Sequence, residues 1–310
     1  MSSNSLEAKS PEILHVLLAQ FNSSRIAVGT PTLDWETDEF RNMELRILEG
    51  RYIENLRMNV SDLIEGHEGS AEHFVEWFKS LNDNGPGQHH PLFDWLESEA
   101  SLDELKWFLT QEVAGEAGFE DLVAYTQVKL PVQAKLECAR NYWDEMGRGK
   151  EGVMHGPLLE RMAHMLNLQP SIENTVWESL ALGNTMLGLA ANRRYTYQSL
   201  GALGVIELTA PQRAAKVAAG MRRLGLESRI RSYFDLHAVL DVQHSEAWIR
   251  EIIYPLVKTN PECAKYLAEG ALMRLLCGER CFARYSHELG LSDKFHPQNS
   301  MVNQASRLLC

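Results

Sequence analysis

The chain contains no CxxC pair, no basic stripe and no apolar run near the ~18 residues that cross a bilayer, which removes several function classes at once. Its cysteines, Cys138, Cys263, Cys277, Cys281 and Cys310, are an odd set without knuckle spacing. That excludes a disulfide framework and a zinc ribbon and fits a reducing cytoplasm. Basic residues are outnumbered, 30 Lys plus Arg against 42 Asp plus Glu, for a net charge of -12. The densest basic clusters are only the pairs Arg193-Arg194 and Arg222-Arg223. No phosphate backbone would be gripped, so no nucleic-acid partner is expected. With 21 Gly and 11 Pro the chain is no low-complexity or collagen-like polymer. The Ser-rich start, Met1 to Pro11, lacks the apolar centre of a secretion signal, and no membrane partner is expected. What remains is a cytoplasmic globular protein.

Hydrophobic residues make up 45% of the 310 positions, and they recur with a helical period. Strand signals are scarce; the one β-rich run, Gly204 to Thr209, has helix formers on both sides and reads as helix. The strongest loop is Asn82 to Gly87 and the next Gly147 to Gly152. Helices are therefore expected over roughly 11–22, 36–66, 70–81, 101–116, 119–146, 156–166, 171–191, 196–223, 228–254 and 260–290. The fold class is all-α. Residues 1–85 read as an N-terminal helical extension packed on the core, 86–275 as a compact bundle, and 276–310 as a helix end and tail, together one compact domain.

One stretch carries chemistry. His237, Asp241 and His244 are spaced i, i+4, i+7, so at 3.6 residues per turn they share one helix face. Other carboxylates stand where apolar residues belong: Glu112 is in register with Leu105 and Leu109, and Glu207 shares the face of Leu203. A buried carboxylate is costly unless a proton, a base or a metal compensates it. Glu145 ends an aromatic helix, and His155 follows the glycine loop. Together Glu112, Glu145, His155, Glu207, His237, Asp241 and His244 offer four negative charges and three imidazoles, which balances two Fe(II) ions. Zinc would take four ligands, and magnesium would not recruit histidines.

The order Glu, Glu-x9-His, Glu, His-x3-Asp-x2-His over roughly residues 90–260 resembles the heme-oxygenase-like diiron oxidases, in spacing most of all their N-nitrosourea-forming, N-oxygenating branch. The resemblance implies a heme-oxygenase-like helical bundle with O2 as cosubstrate and all seven residues acting through the metal centre. It also implies one iron on Glu112, His155 and His244 and the other on Glu145, His237, Asp241 and Glu207. Glu116 and Glu120 stand as alternatives to Glu112.

Competing motifs are thinner. A ferritin-like site needs two Glu-x-x-His motifs, and only Glu12 to His15 supplies one. Gly147-x-Gly149-x-x-Gly152 spells a dinucleotide fingerprint but follows a helix rather than a strand. His164 reads as a surface or supporting histidine, while His67, His73, His287 and His296 receive no role. Trp107, Tyr142, Trp143 and Tyr233 read first as packing. The function expected is an O2-dependent non-heme diiron oxidoreductase acting on a small amine or amino-acid-derived substrate, by N-oxygenation or oxidative C–C cleavage. A fatty-acid oxidative decarboxylase of the same fold is the runner-up, and a metal-free helical binding protein is the alternative of another class. An external electron donor and a homodimer are open options.

Overall fold

The computed structural model describes residues 10–64, 70–116, 118–291 and Lys294; His67, His296, Cys310 and most of the expected C-terminal tail lie outside them. The helices are α1 (Pro11–Ile26), α2 (Trp35–Ile64), α3 (Ala71–Asn84), α4 (Pro91–Ser98), α5 (Leu102–Gly115), α6 (Phe119–Thr126), α7 (Val132–Glu145), α8 (His155–Met165), α9 (Trp177–Ala190), α10 (Thr196–Arg223), α11 (Ser228–Trp248), α12 (Tyr254–Thr259) and α13 (Cys263–Glu288). Among the described residues there is no strand, and no helix is long and apolar enough to cross a membrane.

Local chemistry sets the helix ends. Ser101 and Glu104 form a reciprocal cap on α5, with the Ser101 amide donating to Glu104 at 2.7 Å. Pro11 and Pro91 open α1 and α4, where their missing N–H costs nothing. The expected single helix over 119–146 is instead two, because Lys129 adopts φ 61 and Pro131 cannot donate within a helix. α4 was not expected, and 171–191 begins late: Ser171 and Asn174 cap a separate short turn, so α9 starts at Trp177. The expected helix over 228–254 passes from α11 through a π turn at Ile249–Ile253 into α12.

α10 is the central element, packed along α11, α13 and α4. One apolar cluster joins α2, α3, α9, α12 and α13 to the first half of α10, with Ile53, Phe74, Phe78, Leu200, Trp248 and Leu267 fully or nearly fully buried. A second gathers α4, α5, α8 and the second half of α10 around Phe93, Phe108, Met162, Met221 and Tyr285. α1 and α2 pack on α9 and α13, tied by Arg25–Glu49 at 2.6 Å and Arg57–Glu269 at 2.7 Å.

α1 also carries a titrating contact. His15 is buried between Tyr52, edge-on at 4.7 Å, and Trp177, stacked at 5.5 Å, and Asn184 donates to its backbone carbonyl at 2.9 Å. Burial, reinforced by Arg280, lowers its pKa to about 4. The unfolded chain therefore binds a proton that the folded chain refuses between the ordinary value of 6.5 and about 4. Stability should fall as pH drops through that window, by up to about 3 kcal/mol. His15→Gln is expected to flatten that part of the slope, read from urea unfolding at pH 7 and pH 5; an unchanged slope would remove His15 as its source.

Candidate metal centre

The α11 stripe turns inward as its spacing requires. Asp241 and His244 are buried, and His237 Nδ1 lies 3.0 and 3.1 Å from the two Asp241 carboxylate oxygens. Glu207 faces this stripe from α10, held by the Asn141 amide at 2.6 Å. Pro211 on the same helix withholds the N–H that would bond the Glu207 carbonyl.

Glu145 is the last residue of α7 and His155 the first of α8. The loop between them reverses through Gly147, Arg148 and Gly149 at φ 60, 52 and 80. A Cβ at Gly147 would lie 2.7 Å from the Met154 amide nitrogen, so only glycine lets the two strands of this loop close. The reversal brings the Glu145 carboxylate against His155 Nδ1 in close approach but without hydrogen-bond geometry. The His155 and His237 rings meet at 4.6 Å between centroids. On the other side His244 Nδ1 lies 3.5 Å from Glu207 and 3.9 Å from Glu145.

Two donor triplets result, Glu145/His155/His237 and Glu145/Glu207/His244, each with its donor atoms within 4.8 Å of one another. Glu145 belongs to both. The geometry thus pairs His155 with His237 and His244 with Glu207, unlike the division implied by the motif resemblance, which put His155 with His244.

Glu112 joins neither triplet. It lines the adjoining cavity, turned toward Tyr285 and within the fields of Arg274 and Arg213. The chain beyond it is different: α5 ends at Gly115, the backbone turns through Gly118 at φ 72, and Glu116 lines the same cavity from past the helix end while Glu120 stands in the first turn of α6. Glu116 interacts with His237 and Glu145, and Glu120 with His155 and Glu145. A Cβ on Gly156, next to His155, would be 3.0 Å from Glu120 Oε1.

Asp144 was missed by sequence reading and accepts from His244 Nε2 at 3.3 Å, which leaves Nδ1 aimed at the cluster. A carboxylate behind a histidine fixes its orientation and raises its basicity at a metal. The signal was available: Asn141, Asp144 and Glu145 are spaced i, i+3, i+4, one helix face.

Four buried donor atoms here have no hydrogen-bond partner: Glu145 Oε2, His155 Nδ1, His237 Nε2 and His244 Nδ1. An orphaned buried polar atom costs about 1–3 kcal/mol. Four converging on one volume mark a place built for a cation. Proton affinities agree. Burial, with Asp241 nearby, pushes Glu145 up to about 8 and Glu207 up to about 7. Burial opposes a charge on His237 and His244, yet the surrounding carboxylates outweigh it and raise both to about 9. His155, lowered to about 4 by burial and by His237, stays neutral. Without a metal the cluster must keep protons that a bound cation would displace.

The family model for iron-containing redox enzymes matches residues 106–279, more than half of the chain, and spans every residue of both triplets. The chain belongs to this family. No curated protein matches the chain. Solved structures similar to it include two of a CADD-like protein of unknown function from Nostoc punctiforme. One is 17% identical with a TM-score of 0.56 and covers 70% of this chain and 97% of the other. The second, at 1.35 Å resolution, is 18% identical with a TM-score of 0.54 and covers 72% and 97%. At that identity the likeness concerns the fold, the heme-oxygenase-like helical bundle that the motif order resembled. Iron suits the donor set of this family member, since imidazole and carboxylate together are ligands for a first-row transition metal.

Proposed function

We propose that the protein is an O2-dependent non-heme diiron oxidoreductase acting on a small amine or amino-acid-derived substrate, by N-oxygenation or oxidative C–C cleavage. The observation that carries this reading is the pair of triplets sharing Glu145, each lined by orphaned donors. One iron would be held by Glu145, His155 and His237 with Asp241 beside them. The other would be held by Glu145, Glu207 and His244, with Glu116 and Glu120 completing the set in place of Glu112. Bound iron supplies the electrons and Lewis acidity with which O2 is activated.

The chain supplies the surroundings. Asp144 and Asn141 orient His244 and Glu207. Phe93, Phe119, Leu182, Ile206, Val217 and Phe234 line the adjoining cavity and exclude water from the reacting centre. Tyr233 stands 4.4 Å from the His237 ring, between centroids, and completes this wall. The cavity measures about 140 Å³, close to the ~150 Å³ that encloses a benzene-sized molecule. A space of that size takes a small substrate.

The test is anaerobic loading of metal-free protein with Fe(II), followed by iron analysis and O2 electrode measurement. Two irons per chain and O2 uptake that depends on them are expected. Negligible iron with no O2 uptake would favour the metal-free binding protein instead.

A further inference from the structure

The cavity beside the metal cluster contains two cations that the metal reading does not use. Arg213 of α10 and Arg274 of α13 both line it. Among the described residues the hydrogen-bond partners of Arg213 are neutral: it donates to Gln88 at 3.4 Å and to Thr209 at 3.3 Å, between the rings of Phe93 and Phe282 at 6.0 and 5.5 Å. Arg274 has its buried Nε without a partner. Among the described residues no carboxylate lies within 4.0 Å of either guanidinium. The field of Glu112 reaches both, and that of Glu116 reaches Arg274.

Glu116, Glu145, Glu207 and Asp241 also line the cavity, but they belong to the metal cluster, where His237, His244 and held protons offset them; Glu112 is the one carboxylate of the cavity that the cluster does not use. Against it stand two guanidinium groups. Burying an uncompensated charge is expensive, and here the strain is visible: burial, with Arg274 adding to it, lowers Arg213 to about 9, so it remains a cation at neutral pH. Nothing structural is gained by this arrangement, since neither arginine bridges two helices through an ion pair. A planar guanidinium presents paired donors that match a carboxylate. The same cavity is lined by Glu145, His237 and Asp241, so a molecule gripped at the arginines has its remainder next to the metal cluster.

We infer that Arg213 and Arg274 form an anchor for the carboxylate of the substrate, which is therefore a small acid with a single carboxylate, of the amino-acid type, presented to the metal cluster by its far end. This rests on reading the cavity as the place where substrate meets the metal centre. It gives Glu112 a role as well: beside the arginines it lowers the positive charge of the anchor, which favours a carboxylate over a phosphate dianion.

The experiment is calorimetric or NMR-detected binding to the metal-free full chain of four probes matched in size, hexanoate, L-norleucine, L-norleucinamide and hexylamine, with inorganic phosphate as a fifth. Hexanoate and norleucine should bind, and the amide, the amine and phosphate should bind at least about tenfold more weakly. Arg213→Met and Arg274→Met should each weaken the two acids by about ten- to hundredfold. Arg213→Lys, which keeps the charge and guards against a folding artefact, should recover part of the loss. Unchanged acid binding in both Met variants, equal binding of acid and amide, tighter binding of phosphate, or no binding by any acid would overturn the anchor. Iron content of the same variants is the separating readout. Normal iron with no acid preference sinks the anchor alone, while acid binding without iron sinks the metal reading alone.

Discussion

His237→Ala should lower bound iron from two to one per chain while leaving helical content nearly unchanged. His237 supplies one of three donors in the triplet with Glu145 and His155. Removing it also frees Asp241, whose oxygens lie 3.0 and 3.1 Å from the lost ring nitrogen. Losing an outer hydrogen-bond partner of a ligand typically costs about 10–100-fold in metal affinity, and losing a ligand itself costs more. Asp144→Asn gives the graded control. It removes only the acceptor behind His244 at 3.3 Å, so both irons should remain but bind about 10–100-fold more weakly. Metal analysis after dialysis, with far-UV circular dichroism for the fold, reads both variants. Full iron occupancy in the His237 variant would refute its assignment as a ligand.

Most of the cluster was legible because it depends on two kinds of regularity. The α11 stripe follows from 3.6 residues per turn, and Glu207 betrayed itself as a carboxylate inside an apolar face. Glu145 and His155 were harder, since a turn with three positive-φ residues joins them; the glycines signalled the turn, and only the motif order suggested what it brings together. Glu112 marks the limit of helical periodicity as a signal. Its register with Leu105 and Leu109 turns it toward the cavity, but periodicity along one helix says nothing about which of the charged groups there it meets. Glu116 lies past the end of α5 and Glu120 in the first turn of α6, so the turn at Gly118, and no single helical period, decides how the two are brought together. The break at Lys129 to Pro131 was hidden in the same way: both flanking segments are helical, and a single proline had to outweigh them.

The fold and the site are coupled through the crossing of α10 and α13, and Gly270→Ala is expected to damage both. A Cβ at position 270 would lie 1.8 Å from the Gln198 carbonyl oxygen, and one at Gly201 would lie 1.9 Å from that of Leu267. These obstacles are backbone atoms and cannot rotate away, so the helices must separate. Overpacking of this kind costs about 3 kcal/mol or more, which for a chain of this size lowers Tm by about 5 °C or more. α10 also carries Glu207, whose 3.5 Å approach to His244 depends on where that helix sits. Iron affinity should therefore fall with stability even though residue 270 touches no donor. Gly50→Ala in α2 is the contrast, because nothing lies within 4 Å of its added Cβ. There the helix should gain about 0.5–1 kcal/mol and iron binding should not change. Calorimetric Tm and iron titration of the two variants decide the matter, and a Gly270 variant melting at the wild-type temperature would show that this close crossing is not what holds α10 in register with the metal cluster.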